Sequence, residues 1–419
     1  MKFSDFALNK ALTDAVKALG YNNPTPIQEK AIPAILAKKD IMAGAQTGTG
    51  KTAAFALPIL QLLSENILEH RPVRALVLTP TRELAQQVYK SFVGYAENTQ
   101  LNIAVAYGGV SINPQIEALN KGADVLVATP GRLLDHIING SVALTELECL
   151  VFDEADRMLD LGFKDEIDRI LNRLPLKRQT LLFSATFDDA IYKLSKNLLT
   201  DPERIEIGER NQAAAKVEQV VYTVDLDRKR ELTSFLIGSK NWQQVLIFTR
   251  TKQGADALAK EMCKDGIKTQ SIHGDKSQGA RERALAEFKE GKTRALVATD
   301  VAARGIDIHN LNVVINYELP YVAEDYIHRI GRTGRAGKEG LAISLMAPSE
   351  EWLLKAVEEV LDTRLLQQWL PGYEPDLTKT EAVMKNISKG KEKQRARKKA
   401  FGDQSSDKKG QKKRNFQRR

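Results

Sequence analysis

Ile41-Met42-Ala43-Gly44-Ala45-Gln46-Thr47-Gly48-Thr49-Gly50-Lys51-Thr52, with Ala53-Ala54-Phe55-Ala56-Leu57 following at once, is the stretch on which the reading of this chain turns. A short apolar run, a glycine-rich turn and an apolar helical stretch stand in the order strand, loop, helix, the context in which a phosphate-binding loop works. Glycines let the backbone approach an anion, and loop N–H groups together with a helix N-terminus hold negative charge. In such a loop, Ala45 to Thr52, Lys51 reaches the terminal phosphates and the Thr52 hydroxyl ligates Mg2+. Ala45 stands where the usual pattern has glycine. The competing reading is an ordinary glycine-rich turn, and the spacing of Gly50, Lys51 and Thr52 speaks against it.

Outward from this loop, apolar runs recur with helical segments between them. In the first half they are Ile41–Ala43, Ala75–Leu78, Ile103–Val105, Val125–Val127, Leu150–Phe152 and Leu181–Phe183. In the second they are Val245–Phe248, Ser271-Ile272, Ala295–Val297, Val313–Ile315 and Ala342–Leu345. Short apolar runs bounded by turn residues predict buried parallel strands, so each half is expected to be an open α/β sheet flanked by helices. The polar stretch 208–216 divides the halves between strand-like Ile205–Ile207 and Val220–Tyr222, predicting units at 1–207 and 217–375 joined by a linker. Glu350–Leu370 reads as helical. From 376 to 419 the apolar pattern fades and disorder is expected.

Directly after the run Leu150-Val151-Phe152 comes Asp153-Glu154-Ala155-Asp156. Carboxylates at the C-terminal end of a buried strand lie where open α/β sheets bind ligands. Asp153 is the candidate Mg2+ holder, partly through water, and Glu154 the candidate general base that orients a water. In the second half His328-Arg329-Ile330-Gly331-Arg332-Thr333-Gly334-Arg335 concentrates arginines that could bring positive charge to a γ-phosphate in the transition state. The competing reading of this segment taken alone is a surface salt-bridge cluster.

The 419 residues carry a net charge of +8. Residues 385–419 hold fifteen Lys and Arg against three acids, so the rest of the chain is net −4. Dense positive charge on a flexible segment points to a polyanion such as nucleic acid, with a solubilising tail as the alternative. Two cysteines without a CxxC or nearby histidines argue against a disulfide framework and a zinc site and fit a reducing cytoplasm. Met1-Lys2-Phe3-Ser4-Asp5 opens no apolar signal segment, and no unbroken apolar run is long enough for a membrane span.

In this order the motifs resemble the DEAD-box RNA helicases over roughly residues 1–375. The resemblance implies two tandem RecA-like domains, ATP and Mg2+ as cofactors, and RNA, single-stranded or in short duplexes of ribosomal or messenger origin, as partner. Phe3 and the segment Gly20-Tyr21-Asn22-Asn23-Pro24-Thr25-Pro26-Ile27-Gln28 are similar to the adenine-recognising Q motif, which implies that Gln28 bonds the adenine edge, Tyr21 packs on its face and Thr25 belongs to the same site. Pro80, Thr81 and Arg82, Gly108 and Gly109, and Thr129, Pro130, Gly131 and Arg132 resemble RNA-backbone contacts, as do Thr249, Arg250 and Thr299 in the second half. Ser184-Ala185-Thr186 resembles the segment coupling hydrolysis to unwinding through Asp156, with His328 in a coupling role. Asp307 is implied at the ribose, and Arg332 and Arg335 at the γ-phosphate, with Arg335 the arginine finger.

Val110–Gln115, Asn241–Gln244 and Gly274–Arg281 are similar to the bacterial RhlE group. Such a family implies an RNA-dependent ATPase in the cytoplasm that unwinds short duplexes with little sequence preference. Two other readings share these motifs: a DNA translocase of the same superfamily and an ATP-gated RNA clamp that rarely unwinds.

Overall fold

A computed structural model describes residues 1–44, 49–187, 189–206, 217–303, 308, 311–334, 340–376 and 378. The expected linker 208–216 and all but two residues of 376–419 lie outside the described residues.

Two seven-stranded sheets form, and every pairing within them is parallel. The first contains β1 (Ile41–Gly44), β2 (Ala75–Leu78), β3 (Ile103–Ala106), β4 (Val125–Ala128), β5 (Cys149–Phe152), β6 (Gln179–Ser184) and β7 (Glu203–Glu206) in the order β3-β4-β2-β5-β6-β1-β7. The second contains β8 (Val217–Thr223), β9 (Val245–Thr249), β10 (Thr269–Ile272), β11 (Ala295–Thr299), β12 (Val313–Asn316), β13 (Gly340–Met346) and β14 (Leu366–Gln368) in the order β10-β11-β9-β12-β13-β8-β14.

Central strands such as β2, β4 and β5 are buried along their whole length. Alternate residues serve separate cores: Val125, Val127 and Val151 pack on one face of the sheet, and Leu126, Leu150 and Phe152 on the other. Burial on both faces explains why these strands read as continuous apolar runs.

One expectation is corrected. Glu350–Leu370 is not one helix. The helix Glu351–Leu361 stops at Asp362, which takes a left-handed backbone (φ 51°), and the chain then adds β14 to the sheet edge beside β8. The Glu358 carboxylate receives the Leu365 N–H at 3.0 Å, fixing the turn. Beyond it Tyr373 stacks on Phe235 with ring centres 5.5 Å apart, and the Asp376 N–H reaches Asp225 at 3.2 Å, so packed structure runs to that point. No helix among the described residues is long and apolar enough to cross a membrane.

Candidate active site

The strand order distributes the predicted site residues. The glycine-rich loop leaves β1, Ser184-Ala185-Thr186 leaves β6 and the Asp153 quartet leaves β5, three adjacent strands. Thr81-Arg82 follows β2, Thr129–Arg132 follows β4 and Gly108-Gly109 follows β3, the other three in a row. The C-terminal edge of the first sheet is thereby split into a phosphate half and a second half rich in hydroxyls, glycines and arginines. Ligand sites of open parallel sheets lie at this edge.

A cleft of about 480 Å³ opens over the phosphate half, lined by Tyr21, Thr25, Gln28, Gly50, Lys51, Thr52, Asp153 and Glu154 and closed by Arg332 from the second half. Ala45 to Gly48, Asp307 and Arg335 lie outside the described residues.

Gly50 caps the helix Lys51–Ser64 with φ 90°, a conformation that favours glycine. Its carbonyl accepts the Gln28 Nε2–H at 3.1 Å, while Gln28 Oε1 accepts the Thr25 N–H at 2.9 Å. Thr25 and Gln28 hold the N-cap and N3 positions of the helix Pro26–Leu36, and the bond from the Thr25 N–H is the half of a capping box that is made. Gln28 thus ties the Thr25 turn to the loop. A Cβ on Gly50 would collide with the Gln28 amide and lie 3.0 Å from Thr25 Oγ1. Gly50→Ala is expected to weaken nucleotide binding by about tenfold or more, since left-handed backbone alone costs about 1–2 kcal/mol. Titration with a fluorescent nucleotide reads this, and unchanged affinity would show that the Gln28 tie is dispensable.

Lys51 is 6% exposed and Asp153 2%, and neither Lys51 Nζ nor Asp153 Oδ1 has a hydrogen-bond partner among the described residues. Burial pushes the Asp153 carboxyl up to about 6 against the pull of Lys51, with Glu154 and Asp156 adding repulsion. Buried polar groups left unsatisfied are sites at which a ligand completes the structure. Glu154 adopts φ 58°, ψ 54°, a backbone that non-glycine residues rarely take, at the turn from β5 into the helix Ala155–Asp160. Strain of this kind gathers at functional sites. Among the described residues no group of three or more His, Cys, Asp or Glu forms a metal cage. Mg2+ does not need one, because it keeps several waters and takes one or two carboxylates with phosphate oxygens.

The coupling residues meet in part. Asp156 Oδ2 accepts the Ala185 N–H at 3.2 Å and the Thr186 hydroxyl at 3.4 Å. The Ser184 hydroxyl turns instead to the Thr186 carbonyl at 2.7 Å. Phe3 packs edge-on against Phe6 in the hydrophobic core and is not among the residues lining the cleft. Tyr95 was not anticipated. It lines the cleft and backs Tyr21, with the hydroxyls 3.5 Å apart, and no spacing rule links residues so far apart in sequence. Of the arginines in the second half, Arg329 is fully buried, with Nε and Nη2 held by Asp300 at 2.6 and 2.8 Å and Nη1 on the Glu318 carbonyl, so its role is internal.

On the other half of the edge Arg82 lies against Gly108 and Gly109, where a Cβ on Gly109 would run into the guanidinium. Arg132 is held by Gln115 Oε1 at 3.1 Å and the Val110 carbonyl at 2.9 Å. In the second half Thr249 is fully buried, and Arg250 is paired with Glu318 at 3.3 Å and Glu350 at 2.7 Å. Thr249 and Arg250, both expected at RNA, thus already have partners within the protein at the end of β9. Thr299 ends the adjacent β11, 7% exposed.

Buried His136 supports this surface. Its Nε2 meets Gln115 Oε1 at 3.1 Å, the oxygen that also receives Arg132, and Nδ1 meets the Ser141 hydroxyl at 2.7 Å. Burial, and then the Arg132 charge, lower its pKa. The unfolded chain therefore binds a proton near pH 6.5 that the folded one resists, and stability should fall as pH drops below that value. His136→Gln is expected to flatten the pH dependence of thermal unfolding between about pH 5 and 6.5. An unaltered profile would assign the slope to other groups.

Comparison with known proteins settles the family. Residues 25–194 match the DEAD/DEAH box helicase model and residues 227–337 the helicase conserved C-terminal domain. The chain belongs to the DEAD-box helicase family. It is 42% identical over 373 residues to the ATP-dependent RNA helicase CshA of Listeria monocytogenes, covering 89% of this chain and 71% of that one. It is also 42% identical to the DEAD-box ATP-dependent RNA helicase RhpA of Helicobacter pylori, over 87% of this chain and 73% of that protein. Among solved structures, Dbp5 of S. cerevisiae bound to RNA and ADP BeF3 superposes with TM-score 0.79 at 32% identity, covering 92% of this helicase and 99% of that chain. A DEAD box protein of Methanococcus jannaschii gives 0.52 at 41% identity over 88% and 99%.

Proposed function

We propose that this protein hydrolyses ATP to unwind short RNA duplexes locally and to remodel RNA or ribonucleoprotein, through backbone contacts with little sequence preference. One observation carries the reading. Gln28, Lys51, Asp153 and Glu154 of the first half share a cleft with Arg332 of the second, so a complete site exists only when the halves are closed. Solved relatives bound to RNA with ADP BeF3, or to single-stranded RNA with an ATP analogue, support the same pairing of ligands.

The unsatisfied Lys51 ammonium and Asp153 carboxylate fit a magnesium nucleotide. Thr52, and Asp153 partly through water, would hold Mg2+, which neutralises charge on the phosphates. Gln28, Tyr21 and Thr25 would hold the base, and Lys51 the terminal phosphates. Glu154 would orient the attacking water and accept its proton. Arg332, together with Arg335, would stabilise charge on the γ-phosphate.

RNA would lie across the edge formed by Arg82, Gly108, Gly109 and Thr129–Arg132, continuing to Thr299. Contacts of this type go to phosphate and 2′-hydroxyl groups and carry little sequence information. Reciprocity then requires RNA to strengthen ATP binding by the factor by which ATP strengthens RNA binding. Cys149 and Cys263 are both free thiols, which supports a cytoplasmic setting.

Turnover measured without nucleic acid, with RNA and with single-stranded DNA of equal length tests the reading. Strong stimulation by RNA alone is expected, and equal stimulation by DNA would favour the translocase reading. Removing residues 385–419, net +12, should weaken RNA binding and flatten its salt dependence, because fewer counterions are released. An unchanged slope would place the tail on another partner.

A further inference from the structure

Two buried ion pairs cross between the halves with opposite polarity. Glu83 of the first half receives Arg281 of the second at 2.8 Å, with exposures of 8% and 11%. Arg157 of the first half meets Asp325 of the second at 3.0 Å, with exposures of 6% and 10%. A slipped or rotated docking would separate each charge from its partner and bury it, which is costly.

The second pair stands beside the chemistry. Arg157 follows the Asp153-Glu154-Ala155-Asp156 quartet directly, and its own N–H is received by Asp156 Oδ1 at 3.0 Å. The other oxygen of Asp156 holds Ala185 and Thr186. Asp325 lies in the first turn of the helix Ala323–Ile330, which ends just before Arg332. A contact at Asp325 therefore sets the position of the segment that delivers Arg332 to the cleft.

We propose that Arg157 and Asp325 are positioning residues whose pairing, on closure of the two halves, sets Arg332 against Glu154; this rests on the RNA-dependent ATPase reading above. In the open protein both side chains are hydrated. Closing strips water from both, and their attraction and hydrogen bond offset that loss. Neutralising either residue leaves one charge facing an amide at the closed interface. Neutralising both leaves no charge to desolvate. Arg157 also bonds Asp160 at 3.0 Å, so the loss of Asp325 is partly buffered.

The test uses the full chain and three variants, Arg157→Gln, Asp325→Asn and the double substitution. RNA-stimulated turnover is measured together with energy transfer between dyes on the two halves, in the presence of RNA and a non-hydrolysable ATP analogue. Thermal unfolding and ADP affinity without RNA check that each variant folds and keeps its nucleotide site. Arg157→Gln should lower RNA-stimulated kcat/KM and the closed population by about tenfold or more, and Asp325→Asn should lower both as well. The double variant should recover most of both, with ADP affinity unchanged throughout. Wild-type protein that RNA fails to stimulate would overturn the underlying reading. Stimulated wild type with single variants that close and turn over normally would overturn the inference alone. So would losses that simply multiply in the double variant, which would mean that the two residues act independently.

Discussion

Glu154→Gln is expected to lower RNA-stimulated ATP turnover by about 10²–10⁴-fold while leaving ATP and RNA binding close to wild type, the range attributable to a lost general base. Glutamine preserves shape and places no new demand on the backbone, since Glu154 already holds a left-handed conformation that glutamine adopts at similar cost. The neighbouring carboxylate responds in the favourable direction. Part of what raises the Asp153 pKa is repulsion from Glu154, so its removal keeps Asp153 ionised to lower pH. Nucleotide binding therefore has no electrostatic reason to weaken. The variant should accumulate a long-lived complex of ATP and RNA, visible as slow RNA release in the presence of ATP. Normal turnover would remove Glu154 from the role of base.

Arg332→Gln should reduce RNA-stimulated turnover by about 10³-fold, the lower range for an arginine that stabilises the transferring phosphate. The effect should be confined to the closed state. ADP affinity without RNA should hardly change, because ADP lacks the γ-phosphate to which Arg332 is assigned, and Gln28, Tyr21, Thr25 and Lys51 belong to the first half. Arg332 is 4% exposed and lines the same cleft as Lys51, Asp153 and Glu154. Single-turnover kinetics with saturating RNA separates loss of chemistry from loss of binding. A variant with intact single-turnover chemistry would leave Arg335 to carry the charge alone. Loss of ADP binding as well would point to a damaged fold rather than a missing cation.

Much of the site was legible because its chemistry is local. A phosphate loop needs glycines, a lysine and a hydroxyl within one turn of a helix start, and Gly50, Lys51 and Thr52 supply them. The Thr25–Gln28 pair and the quartet after β5 are also contiguous. The structure adds what is set by partners distant in sequence. Arg250 pairs with Glu318 and Glu350, far along the chain. Thr249 is buried by the sheet around it. Tyr95 looks like one more apolar position on the helix Arg82–Ala96 until it meets Tyr21. The strand β14 was hidden because Leu366-Gln367-Gln368 has neither alternation nor length, and it exists through its pairing with β8.

By itself the sequence determined the two α/β units and the strand ends that carry the candidate phosphate-binding residues, because periodicity and contiguous motifs are properties of neighbouring residues. Only the tertiary structure decided the order β3-β4-β2-β5-β6-β1, which separates the phosphate half of the edge from the other half. It also decided where each arginine lies: Arg329 is held by Asp300 and Arg157 by Asp325, whereas Arg332 lines the cleft. These outcomes depend on which surfaces bury each other and which charges survive desolvation. Both are set by groups brought together from far along the chain, and no local pattern records them.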